Sequence, residues 1–141
     1  MTNIRYNEVS VGDQVAYCGQ ETDNVSAFLM LLPWFGTHRI HYDYKWAREE
    51  GFDDIVIMGG QMYAWFEKIA SEWAGDPGCV KTMNFRHHSS AVAGEFLQLS
   101  AVVAEKVDDQ AAGGRVRCEI SVTKEDGTKV LSGDFSVKLP A

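Results

Sequence analysis

Residues 60–73 read Gly-Gln-Met-Tyr-Ala-Trp-Phe-Glu-Lys-Ile-Ala-Ser-Glu-Trp. Met62, Trp65, Phe66, Ile69 and Trp73 fall at the i, i+3, i+4, i+7 spacing that gathers side chains on one face of a helix. That face is wide and carries large aromatics, so it needs a broad apolar partner. Gly75-Asp76-Pro77-Gly78 ends the helix with turn residues. After Gly78 the apolar period changes to two. Leu97, Leu99, Ala101 and Val103 alternate with Gln98, Ser100 and Val102. Val116, Cys118, Ile120 and Val122 alternate with Arg117, Glu119 and Ser121. Phe135, Val137 and Leu139 alternate with Asp134, Ser136 and Lys138. Such runs are half-buried strands of an antiparallel sheet. Gly113-Gly114 and Asp126-Gly127 sit where hairpin turns are needed. Val80 to His88 supplies one strand more. The expected class is α+β, with a curved antiparallel sheet wrapped around one long central helix.

Upstream of the helix the pieces are short. Val9 to Tyr17 reads as a turn at Gly12-Asp13 followed by a strand. Thr22-Asp23-Asn24 offers N-caps for a helix over Val25 to Leu32. Pro33 should stop it, because proline disfavours helix at the residue before it. Trp34 to Ile40 is then a loop. Tyr42 to Glu50 looks helical and ends at Gly51, a natural C′ position.

The bulk numbers narrow the function classes. With 141 residues, the expected organisation is a single domain over 1–141. The formal net charge of −7 argues against nucleic acid, whose phosphates demand a basic footprint. No apolar run has transmembrane length. The polar stretch Met1 to Asp13 lacks a signal-peptide core, so a cytoplasmic, soluble protein is expected. Lys81, Arg86, Lys106, Arg115 and Arg117 could form a local patch for an anionic group. Cys18, Cys79 and Cys118 are odd in number, widely spaced and in no CxxC pattern, so they are expected to be structural thiols.

The densest ionisable chemistry lies in Phe35-Gly36-Thr37-His38-Arg39-Ile40-His41-Tyr42-Asp43. The Gly59-Gly60 pair opens the apolar helix and can aim backbone N–H groups at an electron-rich atom. Together they suggest proton transfer beside a polarised carbonyl. His87 and His88 are adjacent in a strand and should face opposite sides. No HxH or HxxxH spacing supports a metal site, and none is expected.

This layout resembles the MaoC-like hot-dog hydratases and dehydratases, among them (R)-specific enoyl-CoA hydratases and 3-hydroxyacyl-ACP dehydratases. The resemblance spans nearly the whole chain. Val11-Gly12-Asp13 is similar to the family's opening strand. His41-Tyr42-Asp43, followed by Ala47 and Gly51-Phe52, is similar to its catalytic His-x-Asp segment. Trp73-Ala74-Gly75-Asp76-Pro77-Gly78 resembles the exit of its central helix, and Asn84-Phe85-Arg86 the start of its third strand. Two positions depart from the pattern. Gly36 stands where the family usually has an Asp, and Ile57-Met58-Gly59-Gly60 stands where it usually reads Ala-His-Gly-Met.

The resemblance implies reversible hydration of a 2-enoyl thioester to a 3-hydroxyacyl thioester. No resident cofactor is implied, since CoA or phosphopantetheine enters as part of the substrate. His41 would be the general base, because an imidazole titrates near neutrality. The alternative is a loop histidine that satisfies backbone groups. The Gly59 N–H would hold the developing oxyanion, with Gly60 in its place if the helix starts one residue later. A tight turn that requires glycine is the plainer explanation. Asp43 either caps the helix after it or joins the chemistry, and capping is favoured. His38 either orients a water or is a solvated loop residue. Arg39 pairs with a carboxylate or a substrate phosphate. Tyr63 and Trp34 are candidates to line an acyl tunnel, and Arg86 to bind substrate.

The implied partner is a second copy or a second MaoC-like chain, joined edge to edge with a site between subunits. Two other functions stay open. One is a non-catalytic or half-site subunit of a heteromeric hydratase. The other is a hot-dog thioesterase using a carboxylate on the long helix, Glu67 or Glu72. For Glu67 an ion pair with the adjacent Lys68 is favoured over catalysis.

Overall fold

The structure is a computed structural model that describes residues 4–76, 79–109 and 112–141. Strand β1 spans Gln14–Glu21, helix α1 Asn24–Trp34, helix α2 Tyr44–Glu49 and helix α3 Gly59–Ala74. Strands β2 Val80–His87, β3 Phe96–Asp108, β4 Gly114–Lys124 and β5 Lys129–Leu139 follow. Single 3-10 turns occupy Tyr6–Glu8 and Arg39–His41.

The strands form one antiparallel sheet in the order β1-β3-β4-β5-β2. Register shifts interrupt the ladders at Gln14/Ala16, Val80/Thr82, Val103/Glu105 and Val122/Thr123. An extra residue on one strand bends it and sharpens its twist, and this lets a sheet curl around a helix. The concave face carries the alternating residues read from the sequence. Leu97, Leu99, Ala101, Val103, Val116, Cys118, Ile120, Val122, Phe135, Val137 and Leu139 are all buried. They form one core with Met62, Phe66, Ala70 and Ala74 of α3. Full burial of a side chain such as Phe66 contributes roughly 1.5–3 kcal/mol. The expected α+β hot-dog arrangement is what the chain adopts.

The differences from expectation are local. Helix α1 does not stop before Pro33 but runs through it to Trp34. Proline lies in the last turn, and the N–H of Phe35, at φ 48, closes that turn onto Leu31 and Leu32 carbonyls. Helix α2 begins at Tyr44 rather than Tyr42, because Asp43 takes the capping position and accepts from the N–H groups of Lys45 and Trp46. Helix α3 begins at Gly59, one residue before the apolar periodicity. It ends at Gly75, whose φ of 74 suits glycine. Pro77 and Gly78, read as part of that terminator, lie outside the described residues. Ser136 was read as outward-facing yet is buried, its hydroxyl 2.6 Å from that of Thr82 across the β2–β5 pair. Cys79 and Cys118 are buried, but Cys18 on β1 is exposed. Among the described residues no helix is long and apolar enough to cross a membrane.

Candidate active site

His41 ends the 3-10 turn that follows α1, and residue 56 clamps it from both sides. The Val56 N–H donates to the Ile40 carbonyl at 2.8 Å, and the Val56 carbonyl lies 2.7 Å from His41 Nδ1. A carbonyl can only accept, so Nδ1 carries the proton. The neutral ring is thereby left with its lone pair on Nε2. The clamping segment is itself fixed. Ile57 N–H donates to Ala91 O and Ala93 N–H to Ile55 O, around a bridge between Val56 and Val92.

Two residues beyond Ile57, the chain enters α3. Gly59 and Gly60 are its first residues, and N–H groups in the first turn of a helix have no intrahelical acceptor. Gly59 lies beside His41 in a cleft of about 400 Å³. His41, Val56, Gly59, Met62, His87 and His88 are among its lining residues.

A Cβ on Gly59 would lie 2.8 Å from His87 Nε2 and 3.2 Å from the Tyr63 hydroxyl. Glycine is thus the residue that leaves space between the helix tip and the histidine. The His87 ring accepts or donates a 2.7 Å hydrogen bond with that hydroxyl. Tyr63 in turn stacks on Phe85, with ring centroids 4.0 Å apart.

The other predicted residues take different places. Asp43 caps α2 and pairs with Arg39 at 2.6 Å. The Arg39 hydrogen bond, with help from the Trp46 N–H, holds the Asp43 carboxyl below the usual carboxylate range. The reciprocal bond raises the Arg39 guanidinium above its ordinary value. Arg39 also lies 4.2 Å over the Trp46 ring. It thus finds its carboxylate partner within its own turn. His38 is exposed, caps the Arg39–His41 turn through Nδ1, and sits 6.2 Å from the His41 ring centre. Trp34 covers Gly60 from outside, 3.0 Å from where a Cβ on that glycine would be. Arg86 is exposed on β2. None of these residues is among those lining the cleft, and Tyr63 adjoins it through His87 and Gly59.

Several expectations need correction. Of Lys81, Arg86, Lys106, Arg115 and Arg117, none lines the cleft. Lys106 is spent on the carbonyls of Tyr6 and Val9, and Arg117 on Glu105 and Glu119. Glu67 is exposed on α3, and Lys68 pairs with Glu72 at 3.8 Å, one turn away, instead of with its neighbour. His87 and His88 do diverge. His87 turns to α3, while His88 hydrogen-bonds Ser132 of β5 at 2.7 Å. Both nevertheless line the cleft, because His88 lies beyond the end of β2. Among the described residues no three His, Cys, Asp or Glu side chains are grouped to hold a metal ion.

At Gly36, where the resemblance implies an acid, a side chain would be crowded. A Cβ there would lie 2.2 Å from Leu31 Cδ1 and 3.5 Å from Met58 sulfur. Sequence reasoning missed His87 as a site residue. The available signal was its parity: it shares the helix-facing side of β2 with Met83 and Phe85, both packed against the core.

A long helix cradled by a curled antiparallel sheet, with a histidine-lined cleft at the helix tip, defines a hot-dog protein with a polar site. The sequence family described as Htd2, hydroxyacyl-thioester dehydratase type 2, matches residues 31–93. A comparison with curated protein sequences finds no match. The fold is similar to that of the R-hydratase PhaJ1 from Pseudomonas aeruginosa, at TM-score 0.85 and 22% identity, over 98% of this chain and 86% of the other. It is similar to the (R)-hydratase from A. caviae, at TM-score 0.83 and 14% identity, over 94% of this chain and 98% of the other. It is also similar to the HadBC (3R-hydroxyacyl-ACP dehydratase) complex from Mycobacterium tuberculosis, at TM-score 0.72 and 15% identity, over 85% of this chain and 89% of the other. The resemblance to the MaoC-like hot-dog family is borne out by that sequence match and by the fold.

Proposed function

We propose that the chain catalyses reversible addition of water to a 2-enoyl thioester, giving a 3-hydroxyacyl thioester. The observation that carries this reading is the shared cleft of His41 and Gly59, with His41 Nδ1 tied to Val56 O. In the hydration direction, His41 Nε2 takes a proton from water as its oxygen bonds to C3. The π electrons of C2=C3 move toward the thioester carbonyl, and the resulting enolate then takes a proton at C2. The N–H groups at the start of α3 face the negative charge that develops on that oxygen, where the helix dipole favours it. The family match over residues 31–93 and the hydratase and dehydratase folds support the same chemistry. The (R) configuration at C3 follows from that likeness.

The direct test is hydration of crotonyl-CoA by the purified chain, followed as loss of enoyl absorbance. A loss of at least about 100-fold in His41→Ala is the expected result. Activity unchanged in that variant overturns the base assignment.

The packing around Gly36 favours one second reading, a half-site subunit. Leu31 and Met58 occupy the surroundings in which an acid would have to sit. HadBC is a complex of this fold, and a second MaoC-like chain could bring the missing group. Hydration that appears only on mixing with such a chain would select this reading. A thioesterase gains no support, since Glu67 lies on the exposed side of α3.

A further inference from the structure

We infer that His87 is a second proton-transfer residue of this cleft, positioned by Tyr63. The inference rests on the hydratase reading and deepens it. Interconverting an enoyl and a 3-hydroxyacyl thioester takes two proton transfers, one at the oxygen on C3 and one at C2. His41 accounts for the first, and Gly36 offers no acid for the second.

His87 is in the right place by three independent observations. It lines the same cleft as His41. Its Nε2 and the Tyr63 hydroxyl both crowd the space directly over Gly59. The ring is held there by the 2.7 Å bond to Tyr63, which is itself fixed by its stack on Phe85. A thioester oxygen bound at the Gly59 N–H has C2 one bond from the carbonyl carbon. A group poised over Gly59 therefore faces C2, while His41 faces the water side.

The dehydration direction balances as follows. Neutral His87 takes the C2 proton on Nε2 and becomes an imidazolium. The C–H electron pair passes into an enolate whose oxygen faces the start of α3. That pair then forms C2=C3 and expels the C3 hydroxyl, which leaves as water with a proton from the His41 imidazolium. One ring ends charged and the other neutral, and exchange with solvent resets them. Tyr63 is a positioning residue. Nε2 has one lone pair, so the hydroxyl that donates to it in the free chain turns aside as the C2–H bond approaches, and it accepts from Nε2–H once the proton has moved.

The test uses 3-hydroxybutyryl-CoA with hydrogen or deuterium at C2, dehydrated by the wild-type chain, His87→Gln, Tyr63→Phe and His41→Gln. All are checked for a native melting transition. His87→Gln is expected to lower kcat at least about 100-fold. It should also raise the C2 isotope effect, because the C–H step becomes limiting. Tyr63→Phe keeps the stack on Phe85 and should lose about tenfold in kcat with little change in KM, the scale of one lost hydrogen bond in a site. Its isotope effect should rise as well. His41→Gln should lose activity without raising the isotope effect. An active wild type with His87→Gln within twofold of it overturns the role of His87 and leaves the hydratase reading standing. A folded wild type inactive on both crotonyl-CoA and 3-hydroxybutyryl-CoA overturns both.

Discussion

The Val56 carbonyl lies 2.7 Å from His41 Nδ1, and this one contact decides which nitrogen of the ring is basic. The same residue's N–H holds the Ile40 carbonyl, so the tautomer is set by backbone that the sheet-side segment 91–93 keeps in place. Long-range nitrogen–proton correlation spectra of the chain labelled at histidine nitrogen, recorded above neutral pH, should show His41 in the Nδ1–H form. An Nε2–H form would remove the geometric basis for its role. Replacing the ring by alanine should cost about 10²–10⁴ in hydration rate, the usual contribution of a positioned base.

Gly59 separates activity from stability. Alanine at the first position of α3 restricts the unfolded chain and should hold or raise stability by about 0.4–1 kcal/mol. Its methyl would sit 2.8 Å from His87 Nε2 and 3.2 Å from the Tyr63 hydroxyl, so the exposed ring must shift and its bond to Tyr63 loosens. Gly59→Ala is therefore expected to melt close to wild type, the gain offset by that loosened bond, and to lose most of its hydration activity. A variant that melts normally and works normally would show that the space over Gly59 is not used.

Gly36 should resist restoration of an acid. The Cβ of Gly36→Asp would meet Leu31 Cδ1 at 2.2 Å, and Leu31 is buried. Overpacking of this kind typically costs about 1–3 kcal/mol. The expected outcome is a lower melting temperature and no gain in hydration. Combined with Leu31→Ala, the change should cost less than the sum of the two single effects, because Leu31→Ala removes the atoms in conflict. Additive effects of the two changes in thermal melts would refute this coupling.

The fold was legible because it depends on local periodicity. Period two over Leu97 to Val103 and Val116 to Val122, with period 3.6 over Met62 to Trp73, leaves few ways to bury both faces. Capping by Asp43 was legible for the same reason, since it involves only the next three residues. His41 and Gly59 stood out by residue type and by the resemblance they share. His87 did not. Its role comes from β2 pairing with β5 at the sheet edge, which carries the end of that strand to the start of α3, a relation no short window contains. The continuation of α1 through Pro33 was hidden too. It depends on Phe35 adopting a left-handed conformation, which the chain neighbours do not announce.

The Arg39–Asp43 pair predicts a sign for acid sensitivity. The Asp43 carboxyl is held below its ordinary range, first by Arg39 and then by the Trp46 N–H. A group whose folded pKa is depressed adds stability above its unfolded pKa, about 3.9 for Asp, and loses it as pH falls through the folded value. Asp43→Asn keeps an oxygen that can cap α2 but gives up the charge. Wild type should melt above this variant at pH 7, and the gap should close as the pH drops below 4. Melts by circular dichroism across that range provide the check, and a gap that widens in acid would contradict the assignment.

Thiol chemistry tests the burial pattern itself. Cys118 sits at the centre of β4, fully inside the core, and burial pushes its thiol up to about 12. Cys79, also buried, is raised by burial and by the nearby Asp76 carboxylate. Cys18 lies exposed on β1. The thiolate is the nucleophile, so a raised and covered thiol is protected twice. Iodoacetamide at pH 8 should add a single group to the native chain, at Cys18, and three groups after unfolding in guanidinium chloride, as read by intact mass. Native labelling of Cys118 would mean that the sheet does not close over α3 as described.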